Sequence, residues 1–400
     1  MTPGRRVAWF TLGVWLAATL VLTLSPDARV VTNSELCLVC GDRGLADVLL
    51  NIVLFLPLGI CASALLGSSR LRYLAGLVVS LAIETAQVFI PGRDGSLGDI
   101  VFNAAGAALG VLIATAWARA PGLGPRAALA RASAAGAAVA AVLGLTAFFL
   151  QPSLPDSRYF AQWTPDLPHL APYDGRVLAA AVPGVALPNG RLSAEARDRL
   201  RARLDDGVDL RVVSLAGHPT DRIGAIFAVH DSLEREILLL GPDRTDLVFR
   251  IRRRVKDLRL DRPEIRMAGG LAGVSPGDTL IVDVRRRGAR YCLSVAGRAS
   301  RCDLGYTLGR GWALLAQAAR LPPWARRILD GGWLATWFLP IGFWLRRGRA
   351  WPIPVMAGFA PLGLVPLSGA VLPTPPAQYA AALIGLGAGL LLSALASRAR

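Results

Sequence analysis

Long apolar runs broken by short polar ones occupy residues 1–150 and 326–400, and a different pattern fills the stretch between them. Eight runs read as membrane helices: 7–24, 45–66, 73–90, 97–118, 133–150, 329–345, 351–369 and 377–396. Each approaches the ~20 residues that a helix needs to cross ~30 Å of hydrocarbon. The first has a long apolar run with no A-x-A site behind it, so it reads as an uncleaved anchor. From about 208 onward the period becomes two. "DLRVVSL" (209–215), "GAIFAVH" (224–230), "REILLLG" (235–241), "DLVFRIRRR" (246–254), "EIRM" (264–267), "DTLIVDVRR" (278–286) and "RYCLSVAG" (290–297) predict strands. Turn residues such as Pro242-Asp243 and Ser275-Pro276-Gly277 separate them, and such a succession predicts a β-sandwich. "LSAEARDRLRARLDDG" (192–207) predicts one helix with Ser193 as N-cap and Gly207 as stop. The expected fold class is thus a polytopic α-helical membrane protein with about eight crossings and an extracytoplasmic β-sandwich. Three parts follow: 1–150 with five crossings, 151–325 as the sandwich, and 326–400 with three crossings.

Charge changes the picture by orienting it. The chain is 53% hydrophobic with a net charge of +16, and Lys256 is the only lysine among its 44 basic residues. In a soluble protein such a balance would suggest nucleic acid. Here much of the charge sits in short loops between apolar runs, so membrane orientation explains it and no nucleic-acid partner is expected. Arg5–Arg6, Arg70–Arg72, Arg119–Arg131, Arg346–Arg349 and Arg398–Arg400 are basic, whereas 25–44, 91–96 and "PTPP" at 373–376 are not. With eight crossings all the basic segments fall on one side. Both ends would be cytoplasmic and residues 151–325 extracytoplasmic. Cys37 and Cys40 then lie outside, as do Cys292 and Cys302, whereas Cys61 is inside a helix. Cys292–Cys302 reads as a staple across a strand hairpin, and Cys37–Cys40 as a strained, weaker pairing.

Candidate chemistry concentrates in the N-terminal helices. "LADVLLNIVLFLPLG" (45–59) and "LGDIVFNAAGAALG" (97–110) both place Asn four residues after Asp. Asp47/Asn51 and Asp99/Asn103 therefore share one helical face each, near a helix start where a carboxylate meets free backbone amides. Glu84 and Gln87 share a face near the end of the intervening helix, just before "PGRDGSLG". These six groups, with Arg93 as charge partner for Glu84 or Asp99 and with Asp94 in the same loop, form an outward-facing polar pocket. Ionisable groups within a membrane are functional candidates by default. The competing reading is interhelical glue, with Gly106 and Gly110 marking close helix contact. Neutral amides would serve as glue at lower cost, so the excess of carboxylates favours a pocket.

The run Asp47-x-x-x-Asn51-x-x-x-Phe55-x-Pro57-x-Gly59, then Glu84-x-x-Gln87, Pro91-x-Arg93 and Asp99-x-x-x-Asn103-x-x-Gly106-x-x-x-Gly110 resembles the VanZ-like family over about residues 10–118. That resemblance implies a bacterial envelope membrane protein, and a link to low-level resistance to the glycopeptide teicoplanin. The segment "IFAVHDSLEREILLLGPDRTDLVFRIRRR" resembles the concanavalin A-like/laminin-G superfamily, which implies a glycan-binding module. At its strand end His230 and Asp231 read as a solvated turn, with ligand contact as the sharper alternative. Arg250, Arg252 and Arg254 read as a solvated sheet face, with anionic polymer or lipid as the sharper alternative. No metal spacing, phosphate loop or nucleophile motif is present, and no cofactor is expected. Binding of an envelope lipid or glycan is therefore the expected function. An enzyme using Glu84 or Asp99 as acid or base on such a substrate is the alternative. A transporter is third, because its acidic residue would sit at mid-membrane.

Overall fold

A computed structural model describes residues 3–26, 38–39, 41–93, 95–119, 124–167, 169–316, 321–345 and 351–398. Cys37, Cys40 and Asp94 lie outside these described residues. Five helices come first: α1 (Pro3–Leu24), α2 (Gly44–Leu65), α3 (Ser69–Gln87), α4 (Leu97–Arg119) and α5 (Pro125–Phe149). The β-rich part follows, and then α7 (Pro323–Trp344), α8 (Pro352–Leu364) and α9 (Pro376–Arg398). Among the described residues, five helices are long and apolar enough to cross a membrane: Gly4–Leu24, Gly44–Leu65, Leu97–Arg119, Pro125–Phe149 and Pro376–Ser397. The count of eight is therefore not met on length and composition. The reason is visible in each of the other three. α3 holds Arg70, Arg72 and Glu84 within 19 residues, α7 holds Arg326, Arg327 and Asp330, and α8 is 13 residues long.

Two helical groups have different cores. α1–α4 close around Trp15, Phe55, Leu58, Ile83 and Ala107, with the Trp15 indole edge-on to Phe55 at 5.5 Å. Small residues let α2 and α4 touch along their backbones. A Cβ on Gly59 would stand 2.8 Å from Ala107 C, and one on Gly106 2.8 Å from Ile52 Cα. Without an aqueous hydrophobic drive between helices, such close van der Waals packing is what holds a pair together. α5 packs elsewhere, against α7 and α8, and its Val139, Leu143 and Ala147 join Leu334, Phe338 and Leu362. α7 and α9 also meet backbone to backbone, with Gly385 against Ala335.

The intervening part contains two antiparallel sheets. One has β4 (Gly190–Arg191), β1 (Tyr159–Trp163), β6 (Phe227–Asp231), β7 (Glu236–Asp243), β8 (Asp246–Ile251) and β9 (Ile265–Met267), in that spatial order. The other has β12 (Ala299–Leu304), β11 (Arg290–Val295), β10 (Thr279–Arg287), β5 (Asp209–Leu215), β2 (Arg176–Val182) and β3 (Val185–Ala186). Alternation sets the buried faces, as period two requires. Leu238, Leu240, Phe249 and Ile265 of the first sheet share a core with Leu210, Val212, Val282 and Leu293 of the second. α6 (Ala194–Asp206) closes it with Leu200 and Leu204, and the Ser193 hydroxyl accepts the Ala196 N–H at 3.1 Å as an N-cap. A disulfide joins Cys292 to Cys302 between β11 and β12, and Cys61 is buried in α2.

The arginine stripe does not face water. Arg250 is 7% exposed and paired with Glu264 at 3.0 Å, while Arg252 pairs with Asp257 and Arg254 lies over the Phe148 ring. The segment around Leu167, Leu170 and Ile223 covers the outer face of the first sheet at Ala228 and Leu239, so the arginine beside them is withdrawn from solvent and its charge is matched. Glu236 belongs to this network, 3.0 Å from Arg262 and 3.9 Å from His169. Burial alone would raise its carboxyl, but His169, Arg262 and Arg250 hold it at about 2, below its ordinary 4.5. A carboxyl lowered in the folded state stabilises above its unfolded value, and that contribution disappears as pH falls from about 4.5 through about 2. The contribution is on the order of 3 kcal/mol. Thermal unfolding from pH 5 to pH 2 should therefore show a steeper acid loss for wild type than for Glu236→Gln. Equal slopes would contradict it.

Three elements tie the β-rich part to the helices at one end. Arg43, before α2, pairs with Asp261 at 3.1 Å, and the Lys256 ammonium donates to Asp42 O at 2.6 Å. Arg253, 3% exposed, donates to Leu150 O at the end of α5 and to the Tyr291 hydroxyl, and it stacks over Tyr306. The opposite end of the helices carries Arg5, Arg6, Arg70, Arg72, Arg119, Arg126 and Arg131.

Candidate functional site

At the end nearer the sheets, α2, α3 and α4 bring polar side chains together. Ser80, Glu84 and Gln87 are spaced four and three along α3, so all three point to one side. They are 0%, 5% and 6% exposed. Ser96 precedes α4 and works in two directions. Its hydroxyl accepts the Asp99 N–H at 3.4 Å as an N-cap, and its own N–H donates to the Glu84 carboxylate at 2.8 Å. The Asn51 amide donates to Asp99 at 2.7 Å, bridging α2 to α4, and the Asn103 amide donates to the Ser80 hydroxyl at 3.0 Å, bridging α4 to α3.

The expected residues divide accordingly. Asn51, Glu84, Asp99 and Asn103 are held in one linked set. Gln87 shares that side of α3 but reaches α1 instead of α2 or α4, its amide donating to Thr23 O at 3.0 Å. Asp47 is exposed, off the edge of the set. Arg93 pairs with neither Glu84 nor Asp99. It donates to Leu22 O and Ser25 O, both at 3.0 Å, and so satisfies the free carbonyls at the end of α1. Among the described residues, then, neither the Glu84 nor the Asp99 carboxylate makes an ion pair at contact distance, although Arg93 acts on Asp99 through space. Three buried oxygens in the same interior also lack a hydrogen-bond partner: Thr19 Oγ1, Gln87 Oε1 and Asn103 Oδ1.

Sequence reasoning passed over Ser80, Ser96 and Thr19. Ser96 was findable, because Ser-x-x-Asp before an apolar run is a capping signature. Ser80 stands one turn before Glu84, and only packing separates such a serine from an ordinary helix residue. The turn at His230 and Asp231 is also not solvated. His230 and Asp231 are 6% and 2% exposed, and Asp231 accepts from Arg235 and from the Leu233 N–H. Among the described residues no group of three or more metal-ligating side chains comes together.

A bundle of apolar helices with a two-sheet domain docked on one end defines a multi-pass membrane protein. Residues 9–118 match the family model VanZ-LLP1, described as VanZ/LLP1, so α1–α4 with their polar set form a VanZ-like domain at the N-terminal end of the chain. The β-rich part and α5–α9 lie beyond that match. No curated protein and no solved structure matches the chain.

Proposed function

We propose that this chain is a VanZ-like protein of the bacterial envelope that binds an envelope lipid or glycan at the outer face of the membrane. One observation carries the reading: two carboxylates, Glu84 and Asp99, are held among helices by the Ser96 N–H and the Asn51 amide, with no ion pair to a cation among the described residues. A charge kept at such a position is costly, and amides alone would bridge the helices. A ligand bearing hydroxyl or ammonium donors would satisfy these oxygens, and sugars and lipid head groups carry such donors.

The orientation follows from the charge asymmetry between the two ends. The arginine-rich end lies on the cytoplasmic side and the two-sheet domain is extracytoplasmic. α3, α7 and α8 complete the crossings, because α3 lies along α4, α7 along α9, and α8 along α5. The two-sheet domain suits a concanavalin A-like module that holds glycan near the membrane set. Protection against glycopeptides of the teicoplanin type is the physiological expression of this binding.

Glu84→Gln and Asp99→Asn test the reading cleanly. Each keeps an acceptor oxygen for Ser96 N–H or Asn51, so the fold is retained while the charge is removed. Each variant is expected to lower glycopeptide tolerance by about tenfold at equal membrane abundance, as the loss of one charge-assisted contact implies. Wild-type tolerance in both would reduce the set to interhelical glue.

A further inference from the structure

A cavity of about 590 Å³ separates the β-rich part from the C-terminal helices, far from the set on α1–α4. Arg266 of β9, Arg310 of the 3-10 segment Leu308–Leu314, and Arg326 and Arg327 of α7 all line it. The first is neutralised: Arg266 reaches Asp243 at 2.7 Å, Asp246 at 2.9 Å and Glu264 at 2.7 Å. The others are not. Asp330 gives one oxygen to the Trp312 indole at 2.8 Å, and its second oxygen stands 3.9 Å from Arg310 Nε, beyond a hydrogen bond. The Arg326 side chain makes no hydrogen bond or ion pair among the described residues. The Nε atoms of Arg310 and Arg326 are both buried without an acceptor.

Unmet buried guanidinium donors are costly, and a native structure keeps few of them without cause. Of the lining carboxylates, Glu264 is matched by Arg250 and Arg266, and Asp303 by Arg301. That leaves Asp330 facing two arginines whose side chains, among the described residues, make no hydrogen bond, so the cavity has a net demand for an anion. Pro323, the first residue of the 22-residue α7, lines it as well and adds the positive end of a helix dipole. Two forked donors converging on one space suit the several oxygens of a phosphate better than a single carboxylate. The volume exceeds that of the anion alone and falls within the range of small-molecule sites. Trp324 and Ile328, 65% and 64% exposed, follow Pro323 on α7, so apolar surface of membrane character adjoins the cavity. An indole there is placed as at a lipid–water boundary.

We propose that this cavity is a binding site for a phosphate monoester or diester, engaged by Arg310 and Arg326, with the ester's organic part filling the remaining volume. The site is independent of the ligand assigned to Glu84 and Asp99, and neither proposal needs the other.

The test uses the full chain in nanodiscs. Two arms identify the source: phosphatidylglycerol is titrated into phosphatidylcholine discs, and glycerol 3-phosphate is titrated over pure phosphatidylcholine discs, each followed by the thermal transition. At least one ester is expected to raise the transition in wild type. The concentration giving half the effect should rise about tenfold in Arg326→Gln, and the effect should vanish in Arg310→Gln/Arg326→Gln. Response to the lipid alone assigns the site to a membrane head group, and response to the soluble ester alone to a soluble ligand. Arg326→Gln breaks no internal bond, so its unliganded transition should match wild type and keep the comparison valid. Absence of any response in wild type, or an undiminished response in the double variant, overturns the proposal.

Discussion

Gly59→Ala is expected to destabilise the α1–α4 domain by about 3 kcal/mol, although alanine is the better helix former. The added methyl would stand 2.8 Å from Ala107 C and 2.9 Å from Val111 N, all of them backbone atoms of α4. Backbone of a packed helix cannot rotate aside as a side chain can, so α2 and α4 would have to separate. Separation would stretch the Asn51–Asp99 bridge as well, since it spans the same two helices. Gly144→Ala in α5 is the control, because nothing lies within 4 Å of a Cβ there. It should be neutral or stabilising by up to about 1 kcal/mol. Thermal unfolding in detergent followed by tryptophan emission reads both, as Trp15 packs within the affected core. A Gly59→Ala variant as stable as wild type would mean that α2 and α4 are not in backbone contact.

Arg253→Ala is expected to cost about 3 kcal/mol or more and to loosen the β-rich part from the helices. The guanidinium is buried between the end of α5 and β11, where it donates to Leu150 O and the Tyr291 hydroxyl. Truncation leaves those oxygens without a donor and opens a void beneath the Tyr291 and Tyr306 rings. The transition of the β-rich part should lie roughly 6–12 °C higher in wild type, by the scaling for a folded unit of about 150–250 residues. Arg253→Lys should recover less than half of the loss, because an ammonium cannot present two donors along a rigid fork. The β-rich part should also become more accessible to protease in Arg253→Ala at temperatures below the main transition. Full stability of Arg253→Ala would show that the shared apolar core alone holds the two parts together.

Much of this architecture could be read from periodicity. Strand β5 was expected at 209–215 and lies at Asp209–Leu215, and α6 with its Ser193 cap follows equally simple rules. Strands β1 and β2 went unread, although each is ordinary in length. "YFAQW" is nearly apolar throughout and "RVLAAAV" is rich in alanine, so neither shows the alternation that marks a half-buried strand. Two of the three shortfalls among the helices have a like cause: α3 and α7 carry charges that lower their mean hydropathy, and those charges are accommodated by neighbours such as Ser96 and Trp312. α8 falls short by length alone.

By itself, the sequence determined that apolar helices flank a strand-rich segment, that basic residues collect at one end of those helices, and that Asn51, Glu84, Asp99 and Asn103 lie on helix faces near the other end. Local spacing is enough for such statements, because the backbone's periods decide which side chains share a face. Only the tertiary structure decided what those faces meet. It turned Arg93 to the carbonyls of α1 and left Glu84 and Asp99 without an ion pair to it. It buried Arg250, paired Arg252 with Asp257 and set Arg254 over Phe148 where a solvated sheet face was expected. It also brought Arg310 and Arg326 from separate elements to one cavity. A partner distant in sequence is chosen by the packing of whole elements, and no period along the chain records that choice.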